Sequence, residues 1–284
     1  MTGDPRIHGK DSILTRASFA PVSLRRIGAM VLRYGYLLRG SWPRIIELAY
    51  WPTMQVIMWG FLTQFLAQNS SYFVQAFGVL LSAVLLWDVL FRGQLGVSIS
   101  FLEEMWSRNL GHLFVSPLRP YELPIALITI SFIRTIIGVV PATFLAIAFF
   151  DFSIYSLGFA LIGFFTNLII MGWAIGLIMA GVVLRFGLGA ESLAWVAIFA
   201  LAPISGIYYP LDVLPAWIQP VAQALPASHV FEGMRSILVD NTYRSDLMLK
   251  AALLNVVYIA VGFAAFSAFF RAARIRGLLL NLGE

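Results

Sequence analysis

No cysteine occurs in the 284 residues of this chain, which excludes disulfides, thiolate metal sites and cysteine nucleophiles. Lysine is almost missing as well, with Lys10 and Lys250 the only two. A P-loop needs a glycine-rich turn ending in Gly-Lys-Ser/Thr, because backbone amides and a lysine must cradle the phosphates. Lys10 follows Gly9, but the preceding Gly3 is one residue too far away and Asp11 stands where the metal-binding hydroxyl belongs. Lys250 lies between Leu249 and Ala251. These residues therefore hold no P-loop. His8, His112 and His229 are scattered without an HExxH pair, and no Gly-x-Ser-x-Gly elbow is present, so zinc-protease and serine-hydrolase chemistry lack their residues. Charge is scarce too. Charged residues make up 12% of the chain and hydrophobic ones 60%, against about a quarter and about a half in soluble domains.

What is present is apolar sequence in blocks about as long as a bilayer is thick, with a mean hydropathy of +0.85. One membrane domain follows, and the expected fold is an all-α membrane protein with six transmembrane helices. The spans are read at about 45–67, 72–100, 122–150, 155–184, 188–207 and 248–270. Residues 1–44 are polar and basic with no apolar core, so no cleaved signal peptide is expected. Within them, Ser23 to Arg39 mixes Arg25, Arg26, Arg33 and Arg39 with Leu24, Ile27, Met30, Val31, Tyr34 and Leu38, the pattern of an amphipathic helix lying on a membrane surface. The transmembrane domain covers 45–276 and leaves a short tail, 277–284. The stretch from Tyr208 to Pro226 is apolar but too rich in proline for one spanning helix, and reads as a re-entrant or interfacial element before the sixth span.

The chain carries a net charge of +5, and topology accounts for its arginines. Arg6 to Arg44 precede the first span, Arg108 and Arg119 lie between the second and third, Arg185 follows the fourth, and Arg271, Arg274 and Arg276 follow the sixth. By the positive-inside rule those segments are cytoplasmic, as are both termini. A nucleic-acid partner is excluded, because so apolar a chain has little soluble surface on which to gather its cations.

Few residues are placed to do chemistry. Asp88 and Arg92 are four apart on one helical face and can pair inside the second span. The pair is either structural or turned toward a substrate path or a second protomer, and Arg134 in the third span faces the same alternatives or snorkels to the cytoplasmic side. Trp51, Trp59, Trp87, Trp173, Trp195 and Trp217 serve as interface anchors and packing, or as stacking surfaces along a conduit. Gly172, Gly176 and Ala180, four apart, predict a close helix contact.

Two further segments carry a resemblance. Phe101 to Leu123 reads FLEEMWSRNLGHLFVSPLRPYEL, and Ile204 to Arg235 reads ISGIYYPLDVLPAWIQPVAQALPASHVFEGMR. Together they resemble the ABC-2 exporter permease family, which includes drug, polysaccharide and nodulation-factor exporters. The matching pieces are Ser116-Pro117-Leu118 and Tyr209-Pro210-Leu211-Asp212-Val213-Leu214-Pro215. The sequence departs from the family at Arg108 to His112, where many members have an acidic residue and then Gly-Thr-x-Glu.

The resemblance implies a permease of the bacterial inner membrane that performs no chemistry itself. ATP and Mg would be bound by a separate ABC ATPase subunit, and two copies of the chain, or one copy with a related permease, would form the substrate conduit. Glu103 to Ser116 would be a cytosolic coupling helix docked on the ATPase, with Glu103, Glu104 and Arg108 making polar contacts and Leu110, Leu113 and Phe114 apolar ones. The competing reading is an ion-coupled secondary transporter, for which Asp88, Arg92 and Arg134 are the available intramembrane charges.

Overall fold

A computed structural model describes residues 23–275 apart from residues 70, 117 and 120, without the side chains of 66–69, 71–77, 114 and 115. Residues 1–22, the tail 277–284 and the side chain of Phe114 thus lie outside the described residues. Every regular element among those described is helical. Ten α-helices follow in order: α1 (Leu24–Arg39), α2 (Trp42–Asn69), α3 (Ser71–Trp106), α4 (Leu110–Val115), α5 (Glu122–Phe150), α6 (Ala160–Phe186), α7 (Glu191–Leu201), α8 (Gln219–Gln223), α9 (Pro226–Asp240) and α10 (Ser245–Ile275).

Four of these are long and apolar enough to cross a membrane: residues Gly78–Trp106 of α3, with α5, α6 and α10. The six-span expectation is met at only those four positions. Helix α2 has 28 residues, about 42 Å at ~1.5 Å per residue, but Glu47, Gln55 and Gln64 dilute its apolar character. The expected fifth span, 188–207, contains a 3-10 turn at Leu188–Ala190 and then α7, which stops at Leu201. That helical stretch is about 21 Å long, short of a hydrocarbon core of about 30 Å. Turns follow it through Pro203 and Gly206, whose φ of +66° is left-handed and favours glycine.

Helix α6 packs against α3 on one side and α10 on the other, while α3 also packs against α2 and α5. The α3–α6 contact is close because glycine makes it so. A Cβ on Gly172 would sit 2.7 Å from the Leu90 carbonyl oxygen, and one on Gly176 would sit 2.8 Å from that of Gln94. The small-residue spacing in α6 thus marks a helix contact, with α3 as the neighbour.

Two apolar clusters fill the bundle, one toward each end. The first gathers Leu85, Leu86, Phe164, Phe231, Met234 and Met248. The second gathers Met30, Tyr34, Phe101, Met105, Leu110, Leu184 and Phe270. Arg185 and Arg271 directly follow Leu184 and Phe270 of this second cluster, and Arg108 lies two residues before Leu110, so the helix ends marked by arginines converge at one end of the molecule. Helix α1 lies there against α5 and inserts Ile27, Met30, Tyr34 and Leu38, one stripe at helical spacing. Its Leu32, Tyr36 and Arg39 remain exposed.

Candidate functional site

Helix α3 continues without a break through Glu103 and Glu104 to Trp106, so those carboxylates stand on the last turns of a long helix and not on a separate coupling helix. The break comes at Arg108, whose φ of 52° ends the helix in the left-handed region. Only Leu110–Val115 forms an independent short helix.

Both carboxylates are occupied within the chain. Glu104 is 1% exposed. It accepts from Arg33 Nη1 at 2.6 Å and Nη2 at 3.0 Å, and from Asn109 Nδ2 at 2.9 Å. Glu103 pairs with Arg134 at 2.9 Å and with Arg44 at 3.4 Å. The hydrogen bond to Glu104 raises the Arg33 pKa above its usual value. Leu110 and Leu113 are buried in the chain's own cluster, so the apolar contacts assigned to them are intramolecular. The exposed part of the turn is Trp106, Ser107, Arg108 and His112.

A second carboxylate ties α1 down. Glu122, at the first residue of α5, is fully buried and accepts from four donors: Arg26 Nη2 at 2.6 Å, Arg26 Nε at 2.8 Å, and the backbone amides of Ser23 and Arg119 at 3.0 Å each. Its hydrogen bond to Arg26 raises the pKa of that guanidinium. Sequence reading placed Arg26 and Arg33 on an amphipathic helix without giving either a partner, and it assigned Glu122 no role. Arg26 and Arg33 are seven apart and each directly precedes a residue of the buried stripe, a local signal that marks the right face of α1. Their partners lie 96 and 71 residues away, and nothing local announces them.

Between α2, α3, α5 and α7 lies a cleft of about 380 Å³. Arg92 and Arg134 both line it, along with Arg44, Glu47, Glu103 and three tryptophans, Trp51, Trp106 and Trp195. The Asp88–Arg92 pair expected from its spacing forms, with Arg92 Nε donating to Asp88 Oδ2 at 2.6 Å and both residues buried. Arg134 does not reach that pair's carboxylate but turns along the helices to Glu103. Trp51 and Trp195 are exposed on the cleft's edge, whereas Trp87 is buried in the core and Trp217 is exposed elsewhere.

The motif residues beyond α7 form an irregular segment. Pro210 precedes a three-residue 3-10 helix, Leu211–Val213, and Asp212 and Pro215 are exposed while Tyr209, Leu211 and Leu214 are half-buried. One side chain organises it. Arg235 of α9 donates to the carbonyls of Gly206, Ile207 and Tyr209 and pairs with Glu232 at 3.1 Å. Glu232 in turn accepts from the Leu211 amide at 3.0 Å.

Among the described residues no group of three or more His, Cys, Asp or Glu is arranged to hold a metal ion. What the site offers is charge and aromatic surface at the depth of the helices, with an ion-paired turn at one end. No curated protein matches the chain. A family model described as ABC-2 type transporter matches residues 38–239, which takes in the turn after α3, the cleft and the segment clamped by Arg235. The chain belongs to the ABC-2 type transporter family.

Proposed function

We propose that this chain is the membrane-spanning permease subunit of an ATP-driven exporter, paired with a second permease copy to form the conduit and docked on a separate nucleotide-binding subunit. Family membership makes it an ABC-type membrane component. The observation that carries the docking reading is the construction of the turn after α3. Its inner side is anchored to α1 by Arg33–Glu104 and, through Glu103, to α2 and α5. Its outer side presents Trp106, Ser107, Arg108 and His112. A push on that exposed tip reaches three helices as rigid-body movement through the ion pairs. Ion-coupled transport is not favoured, since Arg92 and Arg134 are each held by a carboxylate and family membership points elsewhere.

The polar tip is the part to test, because it can be changed without touching the core. Reversing the charge of Arg108 with Arg108→Glu and adding a negative charge with His112→Asp should abolish co-purification of the nucleotide-binding subunit while leaving the amount of chain in the membrane unchanged. Retention of that subunit by the double variant would overturn the assignment of the docking surface.

A further inference from the structure

The guanidinium groups facing the cleft have more hydrogen-bond donors than the protein satisfies. Arg92 is 8% exposed and uses Nε for Asp88, while Nη1 and Nη2 make no hydrogen bond among the described residues. Arg134 is 6% exposed. Its Nη2 donates to Glu103, and its Nε is buried without a partner. Arg92 lies near the middle of Gly78–Trp106, where a donor left without an acceptor is costly. Planar guanidinium donors are best satisfied by an anionic oxygen pair such as a phosphate or carboxylate.

Net charge does not explain an anion here. Arg44, Arg92 and Arg134 are balanced by Glu47, Glu103 and Asp88, so any preference comes from guanidinium donors that the protein leaves unpaired in the cleft wall. The rest of the wall is apolar, with Leu48, Leu95 and Ile99 inside and Trp51 and Trp195 exposed on the edge. A free inorganic anion would leave that wall unused, whereas an amphiphile would cover it.

We propose that this cleft binds the anionic, phosphate-type headgroup of a membrane amphiphile, with Arg92 and Arg134 donating to the headgroup and the apolar wall holding the adjoining chain. The inference deepens the proposed permease function by giving this cleft a place on its substrate path, but its test needs no transport. The full chain, purified in a neutral maltoside detergent without ATPase, would be titrated with dihexanoyl phosphatidic acid, dihexanoyl phosphatidylcholine and inorganic phosphate. Tryptophan fluorescence reports binding, and a Trp51→Phe variant assigns the signal to the cleft.

Saturable binding of phosphatidic acid is expected, about tenfold or more tighter than either alternative. Arg92→Lys preserves the charge opposite Asp88 but removes the fork, and should weaken phosphatidic acid binding by about tenfold. The pair-removing variant Asp88→Asn with Arg92→Gln should abolish it, with thermal unfolding confirming that the chain is folded. Equal affinity for the two lipids, equal affinity for inorganic phosphate, or an Arg92→Lys variant that binds like the parent would each overturn the proposal. Headgroup-selective binding together with failure to assemble an exporter would instead leave the site standing and remove the transport reading.

Discussion

At the scale of single residues, burial decides which members of the turn after α3 are available to another protein. Leu110 is fully buried and packs with Tyr34, Phe101 and Met105 in the cluster at the arginine-marked end. Leu110→Asp would bury an unpaired carboxylate there, a cost on the order of several kcal/mol against a total folding stability of about 5–15 kcal/mol. The expected result is a large loss of folded chain, seen as a lower thermal midpoint in detergent, whether or not an ATPase is present. Arg108→Ala, on the exposed tip, should leave the midpoint unchanged. A Leu110→Asp variant as stable as the parent would mean that this leucine does not pack inward.

Ion pairs connect the elements at that same end of the molecule. Helix α1 has only a narrow apolar stripe of four buried residues, and its place on α5 and α3 is fixed at two points, Arg26–Glu122 and Arg33–Glu104. Reversing one charge, as in Arg33→Glu or Glu104→Arg, leaves like charges facing each other beside a nearly inaccessible position. Because Arg33 is 35% exposed, solvent screening reduces the loss to about 1–3 kcal/mol. The double reversal should recover most of it, which a double-mutant cycle on unfolding in detergent would measure. A cycle with no coupling energy would show that the pair does not hold α1. Spacing in the sequence identified the amphipathic face of α1 and the Asp88–Arg92 pair, since both are set by one helix's own geometry. It did not identify Glu122, nor Glu104 as the partner of Arg33, because these contacts are made only by the packing of separate helices.

For the whole molecule, the absence of cysteine makes topology directly measurable. Single substitutions Arg108→Cys, Arg185→Cys and Asp240→Cys all fall on exposed positions. A membrane-impermeant maleimide should label only Asp240→Cys in intact cells and the other two after permeabilisation. Labelling of residue 108 or 185 from outside would reverse the orientation drawn from the arginines. Composition and block length by themselves determined the membrane class and the helical architecture, because a bilayer admits few ways to satisfy backbone polar groups. The motifs likewise determined the family. Tertiary structure decided what pairwise geometry controls: that α7 ends after Leu201, that Glu103 and Glu104 are held inside the chain, and that Arg92 and Arg134 line one cleft. Hydropathy sums apolar residues along the chain and cannot register where a turn interrupts a helix. Nor does it record which charges on separate helices meet, because those contacts exist only once the helices have packed.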